Sequence, residues 1–310
     1  MIESLKNNQE AQETDLYIFS DGPKDDSYRQ QVCDVRNYIY SISGFKSVTQ
    51  LCSEINKGLA PSIIEGVTKV FDLNTTEKVI VLEDDLILSS NFLVWMNSAL
   101  EQYKDNYQVF SISGFCPSVI RKGDVYFYDG FFTKKAHSWG WATWKDRWQK
   151  VDWNVSDWDE FSKRKSLQRN FNSIGSEMSD LLFDQMNGIK SSWWVRFCYT
   201  QFKLGKYTLY PIFSKVINDG FTTEATHCNG YNRYKVDFDL TQKDIFNFPN
   251  NVEEDAKLSK RFFMYFSIKA RIIGKMETFL MNHGLIKQYT MNNYSYNEQD
   301  FSNWRSCHDS

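Results

Sequence analysis

Three consecutive carboxylates, Glu83, Asp84 and Asp85, follow the apolar run Val79-Ile80-Val81-Leu82. Acids packed this closely repel one another and raise one another's pKa unless a cation or hydrogen-bond donors sit beside them. Such a cluster suits a hard metal ion bound through oxygen, Mn2+ or Mg2+. The plainer alternative is a solvated strand end that caps the next helix. The triplet alone does not separate the two. Two further stretches bear on the choice. Asp21-Gly22 closes the apolar segment Leu16-Tyr17-Ile18-Phe19-Ser20, and Asn56-Lys57-Gly58 precedes a helical pattern starting at Leu59. A short acid at a strand end can accept hydrogen bonds from a base or ribose. A Gly-containing turn before a helix lets backbone N–H groups approach a phosphate, and Lys57 adds a cation. Asp-Gly by itself is most often a plain turn.

These residues need elements to position them. An unbroken run rich in Val and Ile reads as a strand buried on both faces of a parallel sheet, which would bring the acids to the carboxyl edge where ligands bind. Helical patterns over 28–41 and 59–71, and one beginning near Ser89 or Ser90, alternate with strands at 16–20, 45–51, 79–82 and 109–113. That alternation predicts a mainly parallel, layered sheet, with Asp21, Lys57 and Asp85 on one edge. Beyond residue 115 the pattern changes. A strand is expected over 125–132, a Trp-rich segment over 138–158 with Trp144 and Trp148 on one helix, a helix over 174–190 and a basic helical tail over 256–287.

Composition narrows the class. The chain has 310 residues, 42% hydrophobic and 24% charged, enough for one large α/β domain or for one domain with an appended part. A net charge of −3 gives no pull toward nucleic acid. The six cysteines are scattered without a C-x-x-C pair, which suggests reduced, mostly buried thiols. No apolar run reaches the ~18–20 residues of a membrane span, and the first residues do not read as a signal peptide. The expectation is a cytoplasmic protein. Lys257, Lys260, Arg261, Lys269, Arg271, Lys275 and Lys287, interleaved with Phe and Ile, admit a peripheral contact of 256–287 with a membrane, or equally a helix covering the sheet.

Taken in order, Leu16 to Gly22, Asn56-Lys57-Gly58-Leu59-Ala60, Val81-Leu82-Glu83-Asp84-Asp85, Ser138-Trp139-Gly140-Trp141-Ala142-Thr143-Trp144, Ser192-Trp193 and Pro211 to His227 resemble a bacterial family of GT-A-fold glycosyltransferases, distantly similar to N-acetylglucosaminyltransferase I. The resemblance covers about residues 1–235 and implies a GT-A-like, Rossmann-like domain there, with 236–310 as a C-terminal helical extension. It implies that Asp85 binds the metal, with His227 reaching the metal or the phosphates. Glu83 and Asp84 would lie near the ribose, Asp21 would face the base, and Gly22, Asn56, Lys57 and Gly58 would complete the donor edge. Trp139, Gly140, Trp141 and Trp193 would wall the sugar and acceptor.

An inverting transferase also needs a carboxylate base. Related sequences carry an acid just before the residue matching Trp193, where this chain has Ser191 and Ser192, so Asp184 is the nearest choice, with Asp180 beside it. The family's sheet opens with an apolar strand before its first helix, and residues 1–15 supply none; weakened donor affinity is the expected consequence. The implied function is metal-dependent transfer of a sugar from a nucleotide-diphosphate sugar, UDP-linked by preference, to a glycan or lipid-linked glycan. The rivals are a non-catalytic glycan-binding protein descended from a transferase, and a nucleotidyltransferase that makes the sugar nucleotide.

Overall fold

The computed structural model describes residues 1–73, 75–221 and 230–287. In chain order its elements begin with α1 (Ile2–Lys6), β1 (Asp15–Ser20), α2 (Arg29–Ser41), β2 (Ser47–Cys52), α3 (Leu59–Leu73), β3 (Lys78–Val81) and β4 (Leu86–Leu88). Then follow α4 (Phe92–Gln102), β5 (Val109–Ser113), β6 (Gly130–Thr133), β7 (Trp141–Trp144), α5 (Lys145–Trp148), α6 (Trp158–Lys163) and α7 (Lys165–Phe171). The last are α8 (Met178–Met186), α9 (Trp193–Lys203), β8 (Tyr207–Pro211), β9 (Val216–Asn218), α10 (Ala256–Met264) and α11 (Ile268–Asn282).

The fold is mixed α/β. A five-stranded sheet has the order β3-β7-β5-β8-β6, with a parallel pair β1-β2 and an antiparallel pair β4-β9 beside it. Among the described residues only β1–β2 and β5–β8 are parallel; the other pairs are antiparallel, so the sheet is mixed rather than mainly parallel. The reason lies where the alternation stops. After β5 the chain runs through β6 and β7 without crossover helices, and strands joined that way can reverse direction.

The five-stranded sheet is buried on both faces. Along β7, Ala142 and Trp144 join a first apolar layer with Trp95 and Met96 of α4, while Trp141 joins a second with Phe197 of α9 and Phe71 of α3. That two-residue period is the pleat of a strand. Trp144 and Trp148 are therefore not on one helix. Trp144 pairs with Lys78 across β3 and its indole donates to Leu100 O at 3.2 Å, and only Lys145–Trp148 turn helical. The expected strand over 125–132 shortens to β6, and just before it the Asp129 carboxylate accepts from Lys243 Nζ and Asn247 N.

β1 and β3 are treated differently by their neighbours. Both pack under α3, and Phe19 lies against Gly66, where a Cβ would meet the Phe19 ring at 3.4 Å. Yet β1 pairs only with β2 and β3 only with β7 among the described residues. β5 is buried throughout, whereas Leu16 and Ile18 are half-buried and Phe19 is 39% exposed. Residues 1–14 hold α1 and a 3-10 turn at Ala11–Glu13, and no described strand pairs with the free edge of β1 or β3.

Beyond residue 235 the chain straps the first apolar layer. Val236, Phe238, Leu258, Phe262 and Phe266 are buried in it. Phe246 meets Trp95 edge-on at 5.2 Å, and Tyr103 Oη donates to Pro249 O at 2.7 Å. Lys215 and Asp239 form a buried ion pair. The expected division after residue 235 runs through this layer. Of the described cysteines, Cys116 and Cys198 are buried, while Cys33 and Cys52 are exposed. No described helix is long and apolar enough to cross a membrane.

Candidate functional site

β3 ends at Val81, and the chain turns through the three acids into β4. The antiparallel register of β4 on β9 sets Leu86 opposite Asn218, which places Asp85 at the start of the loop after β9. Asn218 Nδ2 donates to Asp85 Oδ2 at 2.8 Å, and Asp219 N donates to Asp85 O at 2.9 Å. Gly220 N donates back to Asn218 Oδ1 at 2.9 Å, closing a tight turn. A Cβ on Gly220 would stand 2.5 Å from Asp85 Oδ2, so the backbone can pass only as glycine.

The second oxygen of this carboxylate, Asp85 Oδ1, is buried and has no hydrogen-bond partner among the described residues. Buried polar atoms are nearly always paired, and an exception needs a cause. Burial pushes the Asp85 carboxyl above its ordinary value, the Asn218 hydrogen bond opposes this, and the charge of Asp84 adds to it. Glu83 is pushed up to about 8, first by burial and then by Asp85 and Asp84. The mutual repulsion expected of the triplet is present, but removal from water is the larger cause. The three side chains do not form a cage. Asp84 is exposed while Glu83 and Asp85 are half-buried, and no group of three or more His, Cys, Asp or Glu among the described residues is arranged to hold a metal. The expected second ligand, His227, lies outside the described residues.

Asp21 and the 56–58 turn are brought together as expected, but by each other. The Asp21 carboxylate accepts from Gly22 N at 2.9 Å, from Lys57 N at 2.9 and 3.0 Å, and from Gly58 N at 2.8 Å. Asn56 Nδ2 donates to Gly22 O at 2.9 Å. Gly22 has no room for a side chain, since a Cβ would lie 2.3 Å from Ile55 C. Asp21 thus places a negative charge at the start of α3, a favourable position for an anion. Lys57 is ion-paired with Glu65. Arg36 of α2 ties the same strand ends, donating to Asp21 O and to Ser53 O. The β1–β2 pair and β3 belong to separate sheets and are joined by their packing on α3, so no strand register among the described residues sets the Asp21 turn beside Asp85.

The tryptophans divide. Trp141 and Trp193 are each 2% exposed and stack on one another at 4.7 Å, and Trp141 stacks on Trp148 at 5.9 Å. In this arrangement they are core and present no face to a sugar. Gly140 has φ +59, and its carbonyl accepts from Gly114 N at 2.7 Å, which explains the glycine by backbone need. Trp139 sits in a separate group with Phe115, His137 and Tyr234, and meets Phe221, next to Gly220, at 5.8 Å. It borders the Asp85 loop, although it is also buried. Asp184 is engaged by Lys190 Nζ at 2.8 Å, while its carbonyl accepts from Ile189 N and Lys190 N. It serves the turn after α8 and makes no contact with the triplet among the described residues. Asp180 opens α8 on an exposed position.

Sequence reasoning missed Asn218, which orients Asp85, and Arg36, which ties two strand ends. It also missed Lys135, whose ammonium is fully buried, 3.2 Å from Glu177 and 4.5 Å over the Phe266 ring. Burial lowers its pKa. The Asn218-Asp219-Gly220 turn was a visible signal for the first; nothing local marks the others. No protein-family model matches this chain, and no curated protein matches it either.

Proposed function

We propose that the chain is a metal-dependent glycosyltransferase of GT-A-like architecture. Its donor is a nucleotide-diphosphate sugar, UDP-linked by preference, and its acceptor a glycan. One observation carries the reading: the buried Oδ1 of Asp85, without a partner among the described residues, on an acidic strand end. A divalent ion would satisfy that oxygen. Mg2+ and Mn2+ are commonly held by one or two carboxylates with the remaining positions filled by substrate phosphates and water, so a single protein carboxylate fits such a site and a three-ligand cage is not needed. When bound, the ion neutralises the charge that grows on the diphosphate leaving group.

The residues of the chain do the rest. Asn218 fixes the plane of the Asp85 carboxylate through Oδ2, which leaves Oδ1 for the ion. Gly220 lets the loop after β9 close against it. Asp21 holds the 56–58 turn at the start of α3, beside which a base and ribose would lie. Inversion is the preferred outcome by resemblance. The engagement of Asp184 with Lys190 favours a second reading, a protein that binds the donor or a glycan without transferring the sugar.

The decisive experiment measures binding of UDP-, GDP- and dTDP-sugars with and without Mn2+, for the wild type and Asp85→Ala. Mn2+-dependent binding that Asp85→Ala abolishes supports the transferase site, and release of free sugar or its transfer to a glycan then separates catalysis from binding. Binding indifferent to Mn2+ and to the substitution overturns the reading.

A further inference from the structure

The last two described helices do different work. α10 is a covering helix: Leu258 and Phe262, together with Phe266 just beyond it, are buried against the first apolar layer, and Arg261 and Lys257 pair with Asp124. α11 has only Gly274 buried. It docks by one side, where Gly274 stands against Arg233, Thr278 Oγ1 accepts from Tyr231 N at 3.0 Å, and Arg271 Nη1 donates to Ser176 O. The opposite side is apolar and turned outward. Ile268 is 65% exposed, Ile272 63%, Met276 55% and Phe279 58%. These fall at i, i+4, i+8 and i+11, one stripe of a helix.

The fringe of the stripe is cationic. Lys269 and Lys275 lie exposed on α11 and Lys260 on α10, and none of the three forms an ion pair among the described residues. Glu277 is the one acid in α11 and is half-buried. An exposed apolar row of this size is costly in water and marks an interaction surface. The charge selects its partner. A second copy would bring the same lysines face to face. An anionic bilayer supplies acyl chains for the isoleucines, Met276 and Phe279, and headgroup charge for lysines that can extend their ammonium groups to the interface. From Ile268 to Phe279 the stripe is roughly 17 Å long, enough to lie in the interface and too short to cross it.

We propose that α11 is an interfacial anchor that seats the protein on an anionic lipid surface through Ile268, Ile272, Met276 and Phe279. The argument stands on the helix alone and does not depend on the transferase reading. It does place that reading at a bilayer, because α11 docks on residues 231–233 and the adjoining Tyr234 packs on Trp139 near the Asp85 loop.

The test is co-sedimentation of the full chain with phosphatidylcholine vesicles, with and without phosphatidylserine. The comparison is with Ile272→Glu/Phe279→Glu and with Lys269→Glu/Lys275→Glu. All four positions are exposed, so melting temperatures should match the wild type and confirm that each variant is folded. The expected result is binding to phosphatidylserine vesicles that weakens with salt, falls about tenfold or more in both variants, and is absent on phosphatidylcholine alone. Full chain that stays in solution with anionic vesicles, or variants that bind as well as wild type, overturns the proposal. So does a concentration-dependent dimer that Ile272→Glu/Phe279→Glu dissolves, which would assign the stripe to a second copy.

Discussion

At the scale of single residues, the acidic triplet resolves into three different groups. Asp84 is solvated, Glu83 is held high by burial, and Asp85 alone combines an orienting donor with an oxygen that lacks a partner among the described residues. If that oxygen awaits a cation, the partner of its twin controls affinity. Asn218→Ala should weaken Mn2+ binding about 10–100-fold, the usual effect of removing a group that orients a ligand, with Asn218→Asp as the charge-altering comparison in the same titration calorimetry. Asp21 has a different task. It receives N–H bonds from Gly22, Lys57 and Gly58, so Asp21→Ala strands donors at three positions. A loss of about 1–3 kcal/mol in denaturant unfolding is expected, with partial recovery in Asp21→Asn. His137 stacks on Phe115 at 4.0 Å, and burial, then the charge of Lys135, hold its imidazole well below its ordinary value of 6.5. A depressed His stays neutral in the folded state while the unfolded chain takes up its proton. Its contribution is therefore present above pH 6.5 and lost as pH falls below it. The slope approaches about 1.4 kcal/mol per pH unit, and replacing His137 by Phe should flatten that part of the stability profile, read by urea unfolding between about pH 5 and pH 8.

At the scale of elements, strand edges are the informative feature. Among the described residues β5 lies between two partners, while β1 and β3 each have one and meet the same helix. An open edge carrying Leu16, Tyr17, Ile18 and Phe19, with no interior charge or proline, lacks the usual protection against further pairing. Amide hydrogen exchange should reflect this. The outward-facing N–H groups of β1 and β3 are expected to exchange at least about tenfold faster than those of β5, and uniform protection across the three strands would contradict the open edges. The element reading explains the tryptophan motif as well. Trp-Gly-Trp is spaced for a strand entered through a positive-φ glycine, and that strand sends Trp141 into the core.

At the scale of the molecule, the C-terminal segment is partly structure and partly surface. Up to Phe266 it completes the first apolar layer; beyond it α11 adds little buried area. A chain ending at Phe266 should melt close to the full protein, whereas one ending at Asp255 exposes the layer that Leu258, Phe262 and Phe266 cover. Phe262→Ala alone should cost about 3–5 kcal/mol, since the side chain is fully buried and packs on Tyr210 at 4.6 Å. Differential scanning calorimetry of the two truncations and of Phe262→Ala separates the covering helix from the outward one.

What the sequence by itself determined was local. The acidic strand end, the Asp21-Gly22 and Asn56-Lys57-Gly58 turns, the β-α alternation up to residue 115 and the amphipathic basic tail are patterns of neighbours, set by the two- and 3.6-residue periods and by turn chemistry. Tertiary structure decided what depends on distant partners. The pairing of Leu86 with Asn218 joins positions 132 residues apart and is what singles out Asp85 within the triplet. Strand pairing with β3, which no local pattern encodes, turned Trp144 from an expected helix residue into a strand end. The two faces of a helix look alike in sequence until something packs on one of them; Arg233 and Tyr231 choose that face in α11 and leave Ile272 and Phe279 outside.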